Sequence, residues 1–339
     1  MTEYVVFNIS LIIPTHNRAV SLKRAICSAG MLTYPSDRYE IIVVDNASSD
    51  ATPQVVRNLQ NGSGCNLHYL REDRLGLHHA RHAGAHYARG EILVFTDDDA
   101  TFDPRWLHSY GMAFAQRAEM VAAGGPVRPV WEVPPPKWLL DYIGDAKTFS
   151  PLSLMEPYDE FRLDAKGFFF GVNMAIRRDM LFAVGGFNPE LIGSFTVGDG
   201  ESGLNRKLQE RGCLIGYVPD ALVYHHIPAA RMTPDYLCRW QAHLAGAQLY
   251  SRYHRHMPSP LKLAVDAARA LLSLAGIWVL AGCVRPRTNN FAVSLKLRAS
   301  LESARLQYIL RLASDPNLRQ MVAQRDWLNS SPATSETKR

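Results

Sequence analysis

The chain has 339 residues, is 47% hydrophobic and 20% charged, and carries a formal net charge of +5. That length and apolar content suffice for one large folded domain with an appendage, and they exclude a wholly disordered chain. Cys27, Cys65, Cys213, Cys238 and Cys283 are an odd number without C-x-x-C or zinc-finger spacing, which argues against a disulfide framework or structural zinc and fits a reducing cytoplasm.

The opening stretch, MTEYVVFNISLIIPTHNR, lacks a basic segment and a small-residue cleavage site, so it reads as a strand and not a leader. Ser10–Pro14 and Glu40–Asp45 are β-branched runs that end at turn residues. Between them Leu22, Ala25, Ile26 and Ala29 recur at i, i+3, i+4 and i+7, one apolar face of a helix. Thr52 and Pro53 read as a cap and first-turn proline opening a second helix. A strand over 66–70, a helix over 77–88 and a strand over 92–95 follow, and Asp103–Pro104 repeats the cap-and-proline signal. Strands alternating with helices predict a parallel sheet covered on both faces.

Three polar clusters fall at strand ends: PTHNR, DNASSD and TDDDA. In such sheets ligands gather at the carboxyl ends of strands, so Asp97, Asp98 and Asp99 are expected to face a cleft. Two carboxylates about 4 Å apart repel by roughly 4 kcal/mol at an effective dielectric near 20, which calls for a compensating cation. His78, His79, His82 and His86 recur at i, i+4 and read as a solvated helix face, without the defined ligand set of a zinc site.

After Gly125 the stretch PVRPVWEVPPPKW reads as a loop or lid over the cleft, GFFFGVNMAIRR as a strand, and 201–211 as a helix. From Thr233 the reading is mostly helical. Arg231 to Arg311 holds 12 Lys/Arg against Asp235, Asp266 and Glu302, so the positive charge is regional. Within it Ala270–Val284 is 15 uncharged residues followed by Arg285 and Arg287. As a helix of ~22 Å it is short of a bilayer's hydrocarbon core, so docking on an anionic membrane is favoured over spanning, with a buried helix as the rival. The polar end, LNSSPATSETKR, reads as disordered. No aromatic-basic interleaving marks a nucleic-acid partner.

In this order IIPTHNR, IIVVDNASSD, GEILVFTDDDA, FGVNMAIRR, GGFN and GDGESGLNRKL resemble family 2 glycosyltransferases of the GT-A fold over roughly residues 8–230. The resemblance implies an α/β fold with a Rossmann-like, mostly parallel sheet. It divides the chain into a GT-A domain at 1–230 (nucleotide half 1–125, acceptor and base half 126–230), a basic helical extension at 231–312 and a tail at 313–339.

It also implies inverting transfer from a nucleotide diphosphate sugar, a UDP-sugar in the first instance, to a glycan or glycolipid hydroxyl. Mg2+ or Mn2+ is expected on Asp97 and Asp99, with His225 as a third metal or phosphate ligand and Asp98 on the ribose or in one of the metal roles. Pro14, Thr15, His16, Asn17, Asp45 and Asn46 would hold the base, Arg74 and Gly76 the diphosphate. Glu201 aligns with the family's catalytic base, with Asp199 as the alternative; Gly200 stands where glutamate is usual. Asn173, Met174 and Trp138 would face the acceptor. The setting implied is the cytoplasm, peripheral on the inner face of the plasma membrane, in cell-surface polysaccharide synthesis. Two alternatives stay open: a silent GT-A scaffold in a glycan-assembly complex, and a HAD-type phosphatase with Asp97 as nucleophile.

Overall fold

The computed structural model describes residues 6–61, 65–192, 195–282 and 290–329. Its main sheet has eight strands in the spatial order Arg162–Asp164, Leu214–Tyr217, Met120–Gly124, Met174–Arg177, Ile92–Phe95, Ile9–Thr15, Tyr39–Asp45, Leu67–Arg71. The last four run parallel in register, Ile9 beside Tyr39 and Ile92, and Ile41 beside Leu67. Met174–Arg177 runs antiparallel between Ile92–Phe95 and Met120–Gly124.

Alternation along the central strand explains the layers. Leu11 and Ile13 point to a core with Leu22, Ile26, Val56, Trp106 and Phe114 from the helices Ala19–Ala29, Thr52–Gln60 and Trp106–Gln116. Ile12 points the other way, to Ala80, Leu181, Leu204 and Leu208 from Leu77–Tyr87, Arg178–Ala183 and Gly200–Glu210. Each such fully buried aliphatic side chain contributes roughly 1.5–3 kcal/mol.

A second sheet orders Ala100–Phe102, Val223–Ile227, Val127–Trp131, Leu154–Met155 and Thr148–Phe149 beside the first. Its first pairing is antiparallel and sets His225 opposite Ala100, one residue after the aspartate run. The helices Pro234–Tyr253, Pro260–Gly282 and Asn290–Ser314 pack together as the C-terminal extension.

Several local expectations are corrected. Thr52 is the first helical residue and not the cap; Asp50 accepts its N–H at 3.0 Å. The GFFFGVNMAIRR segment is a strand only from Met174, because the residues before it loop past the helix Gly200–Glu210. The segment at PPPKW does not stay irregular, for Lys137–Ile143 is a short helix. The expected tail from 313 instead opens with the helix Pro316–Ala323, capped by Asp315, which accepts from the backbone N–H of Asn317 and Leu318. Leu318 and Val322 are buried there, and Leu328 is fully buried against the sheet's second face. Arg285, Arg287 and Cys283 lie outside the described residues.

Candidate active site

The four parallel strands deliver their carboxyl ends to one edge, where the aspartate run emerges. Asp98 accepts from Thr15 Oγ1 at 2.7 Å and from Arg18 Nη1 at 3.1 Å. Its burial raises the carboxyl to about 6 against the opposing charge of Arg18. Asp99 is buried too, and burial alone would raise it. His225, Arg231 at 2.9 Å and Arg18 at 2.8 Å instead hold it well below the usual carboxylate range.

Asp99 and His225 form a distinctive donor set. His225 Nδ1 lies 2.8 Å from the Leu152 carbonyl, which only an N–H can satisfy, so Nε2 is the atom that meets Asp99, as a donor in the charged ring and as a lone pair in the neutral one. That nitrogen is 3.2 Å from Asp99 Oδ1, a buried oxygen with no other hydrogen-bond donor. With the ring neutral, two acceptors face each other and need a cation or a proton between them, and Arg231 reaches the same Nε2 at 3.0 Å. Arg231 supplies that cation here, and among the described residues no group of three or more His, Cys, Asp or Glu side chains is placed to hold a metal ion, so Asp99 and His225 are a two-donor set.

Asp97 turns the opposite way, toward Arg81. This fully enclosed guanidinium lies 3.5 Å from Asp97, 4.0 Å from Glu190 and 3.3 Å from Glu201. Three carboxylates around one arginine exceed its charge. Burial first, then repulsion from Glu201 and Asp97, raises Glu190 to about 7. Glu201 is raised as well, by burial and then by Asp97, with Arg81 and the Gly171 N–H opposing.

Glu201, Asp199 and Glu190 border a cavity of about 330 Å3 whose other walls include Trp240, Phe170 and Leu244 along with Ser150, Ser202 and His243. Asp199 is the less available of the two candidate bases. Its Oδ1 accepts from Asn188, and its Oδ2 accepts from Arg206 and Ser251 at 2.9 and 2.7 Å. Glu201 has no such set of donors and keeps 23% of its side chain exposed.

Residues 10–184 match the family model described as glycosyl transferase family 2. The chain belongs to that family. Glycosyltransferase AglE of Haloferax volcanii is 36% identical over 108 residues, 32% of this chain and 35% of that protein. Validoxylamine A glucosyltransferase of Streptomyces hygroscopicus subsp. jinggangensis is 28% identical over 204 residues, 55% of this chain and 48% of that protein. The chain thus spans about a third to a half of these relatives' length. A mannosyltransferase from Pyrobaculum calidifontis in complex with GDP-Man and Mn2+ matches with a TM-score of 0.56 at 21% identity, over 92% of this chain and 88% of that one. The GT-A fold is shared, and family 2 membership displaces the phosphatase reading of Asp97.

Within this family 2 site several expected contacts lie elsewhere. Asn173 does not face an acceptor: it is fully buried, its Oδ1 accepting from Trp106 and Tyr110 and its Nδ2 donating to the Pro126 and Ala221 carbonyls. Its neighbour Met174 is buried in the sheet. Trp138 packs against the cluster of Leu139, Phe149 and Leu237 and does not line the Glu201 cavity. Asp45 is fully enclosed and accepts from Ser48 N at 2.8 Å and Tyr69 Oη at 2.6 Å, contacts that shape the loop after its strand.

Asn46 likewise joins loops, donating to the Glu72 and Arg74 carbonyls and accepting from Gly76 N. Arg74 is held in a two-pronged pair by Glu72. Pro14 and Thr15 end the central strand, while His16 and Asn17 are exposed at its tip. His16 Nδ1 lies 2.6 Å from the Asn46 carbonyl, and Asn17 Oδ1 accepts from Ser49 N at 2.7 Å. Gly76, at φ 139°, turns the chain into the helix Leu77–Tyr87 where a side chain would be strained.

Of the histidines on that helix His86 is exposed and His79 half-buried, but His78 and His82 are not on a solvated face. Both are buried; burial lowers His78 to about 3, leaving a neutral ring with neither nitrogen hydrogen-bonded. His82 Nε2 accepts from Phe187 N at 2.9 Å. Sequence reasoning missed Arg18, Arg231, Glu190 and Trp240. Arg18 carried a readable signal, three residues beyond the strand-end Thr15; the other three reach the site only through tertiary packing.

Proposed function

We propose that this family 2 member is an inverting glycosyltransferase that moves a sugar from a nucleotide diphosphate sugar, a UDP-sugar in our reading, to a hydroxyl of a glycan or lipid-linked acceptor. The observation that carries this is Glu201: a carboxylate of raised pKa on the floor of an open cavity, joined through Arg81 to the aspartate run. As base it takes the acceptor hydroxyl's proton while that oxygen attacks the anomeric carbon. The bonding electron pair leaves with the nucleotide diphosphate, and one displacement inverts the centre. Trp240 and Phe170 give the acceptor an apolar wall opposite the carboxylates.

Asp99 and His225 would hold Mg2+ or Mn2+, and Asp97 would join them only by turning away from Arg81. When bound, the ion supplies charge to the departing diphosphate. Arg18 and Arg231 border the same crevice as Asp99 and are placed to add positive charge there. Arg81 keeps the Glu201 carboxylate oriented and partly neutralised before substrate arrives.

The helix Pro260–Gly282 supports peripheral contact with a membrane, on the cytoplasmic face in our reading. It starts ten residues before the uncharged run and reaches ~34 Å at 1.5 Å per residue, so it is long enough to cross a hydrocarbon core of about 30 Å, which corrects the expectation that it is too short to span. Leu263 and Ala270 are buried against the neighbouring helices, while Leu272, Trp278 and Val279 are 70–75% exposed. One buried face and one apolar exposed face fit a helix lying on a bilayer.

A thermal-shift panel of UDP, GDP, UDP-sugars and GDP-Man, each with and without Mn2+, tests the donor and the ion together. A ligand at 100 times its Kd adds about 2.7 kcal/mol of stability. Stabilisation by no nucleotide under either condition rejects the reading. Nucleotide binding with neither donor hydrolysis nor transfer would leave a silent scaffold.

A further inference from the structure

A second cavity, of about 560 Å3, lies along the opposite side of the base-bearing helix. Gly203, Arg206, Lys207 and Glu210 line it. Their spacing of three and four residues sets them on one face, about half a helical turn around from Glu201.

Five cations border this cavity, Arg206, Lys207, Arg211, Arg255 and Arg325, against the two carboxylates of Glu210 and Asp326. Both carboxylates are engaged. Glu210 pairs with Arg255, and Asp326 accepts the backbone N–H groups of Leu328 and Asn329. Arg206 is held by Asp199 at 2.9 Å. Among the described residues, Lys207, Arg211 and Arg325 have no carboxylate within ion-pair distance. Lys207 donates to the Gly186 carbonyl at 2.8 Å, one hydrogen bond for three donors. Burial pushes its ammonium down to about 8, against the more distant charges of Asp199 and Asp326.

We infer that this cavity is a binding site for a phosphate-bearing anion, separate from the transferase site. Planar guanidinium forks match phosphate oxygens two at a time, and the lysine adds a point charge. An occupant relieves the repulsion among the three unpaired cations. Arg206 links the site to the chemistry: the guanidinium bordering the cavity also fixes Asp199, which lines the Glu201 cavity two residues before the base. An anion that draws on Arg206 therefore loosens Asp199.

Two sources supply that chemistry. His254, Arg255 and His256 on the rim lie just before the helix Pro260–Gly282 with its exposed Leu261, which places a lipid headgroup within the same region. A soluble phosphate compound is the other source.

The test uses the full chain in EDTA. Inorganic pyrophosphate is titrated calorimetrically, and pelleting is measured on phosphatidylcholine vesicles with and without phosphatidylglycerol. Arg211→Gln with Arg325→Gln removes two exposed cations that take no part in the carboxylate cluster; Arg211→Gln alone serves if the double variant melts lower. We expect wild type to bind pyrophosphate, or the phosphatidylglycerol vesicles selectively, and the variant to weaken that binding at least tenfold. Pyrophosphate binding alone assigns a soluble ligand, and vesicle binding alone assigns a headgroup. Binding unchanged in the variant, or no binding of either probe by wild type, overturns the proposal. No sugar transfer is measured, so failure of the transferase reading registers separately.

Discussion

Arg81 Nη1 lies 3.3 Å from Glu201 Oε2, and the pair meets over Gly171, where an added Cβ would come within 2.3 Å of both side chains. The glycine is therefore a space requirement of the carboxylate cluster. Gly171→Ala should push the guanidinium and carboxylate apart while leaving the sheet intact, since both clashing groups are side-chain ends. Transfer should fall about tenfold or more, because small misplacements of a catalytic group are expensive. The melting temperature should move by no more than a few degrees. Unchanged transfer rates would show that the pair's geometry is irrelevant.

Glu201→Gln removes the proton acceptor and keeps the shape. Positioned acid-base groups contribute roughly 10²–10⁴-fold, so kcat should drop by that range while nucleotide affinity stays within about twofold. Glu190→Gln should leave more activity than Glu201→Gln. The reverse ranking, measured with one donor and one acceptor, would transfer the base role to Glu190.

Glu190 also sets a pH dependence. Its folded-state carboxyl sits near 7, above the 4.5 of the unfolded chain. Between those values the folded protein holds a proton that the unfolded chain has lost, so this group's stabilising contribution is full below 4.5 and disappears as pH rises through 7. Glu190→Gln cannot ionise. Its melting temperature should gain on wild type between pH 5 and pH 8, by about 2 °C or more at the upper end if roughly 1 kcal/mol is relieved. Parallel melting curves across that range would contradict the crowding of charge around Arg81.

Much of this site was legible because local pattern and strand-end position carry it. Asp97, Asp98 and Asp99 follow a fully buried apolar strand, and parallel neighbours bring Thr15 and Arg18 to the same edge. Asn173 was not legible. Whether an asparagine is spent inside the fold depends here on Trp106 and Tyr110, one helical turn apart on a distant helix. The hydrogen bond from Tyr69 to Asp45 was hidden for the same reason, since the tyrosine sits on the adjacent strand. Trp240 reaches the Glu201 cavity only after the C-terminal helices fold back, and no short-range signal reports that.

Asp99→Asn should separate the ion from the nucleotide. The substitution keeps an oxygen and removes the charge that His225, Arg18 and Arg231 surround. With Mn2+ present, the extra thermal shift that the metal gives to nucleotide binding should be lost, while the metal-free shift is retained or increased. His225→Ala should act in the same direction. A Mn2+ response equal to wild type in both variants would move the ion off this donor set.

The helix Pro260–Gly282 offers a test that leaves the transferase core untouched. Leu272 and Trp278 are 74% and 75% exposed, so replacing both with aspartate removes no buried contact and should alter stability by no more than about 0.5 kcal/mol per site. On a bilayer the same change is severe, since an interfacial helix binds through the apolar area it inserts and carboxylates oppose insertion. Flotation with anionic vesicles should therefore drop at least tenfold in the double variant while its melting curve in buffer overlays wild type. Equal flotation would place the lipid contact elsewhere in the chain.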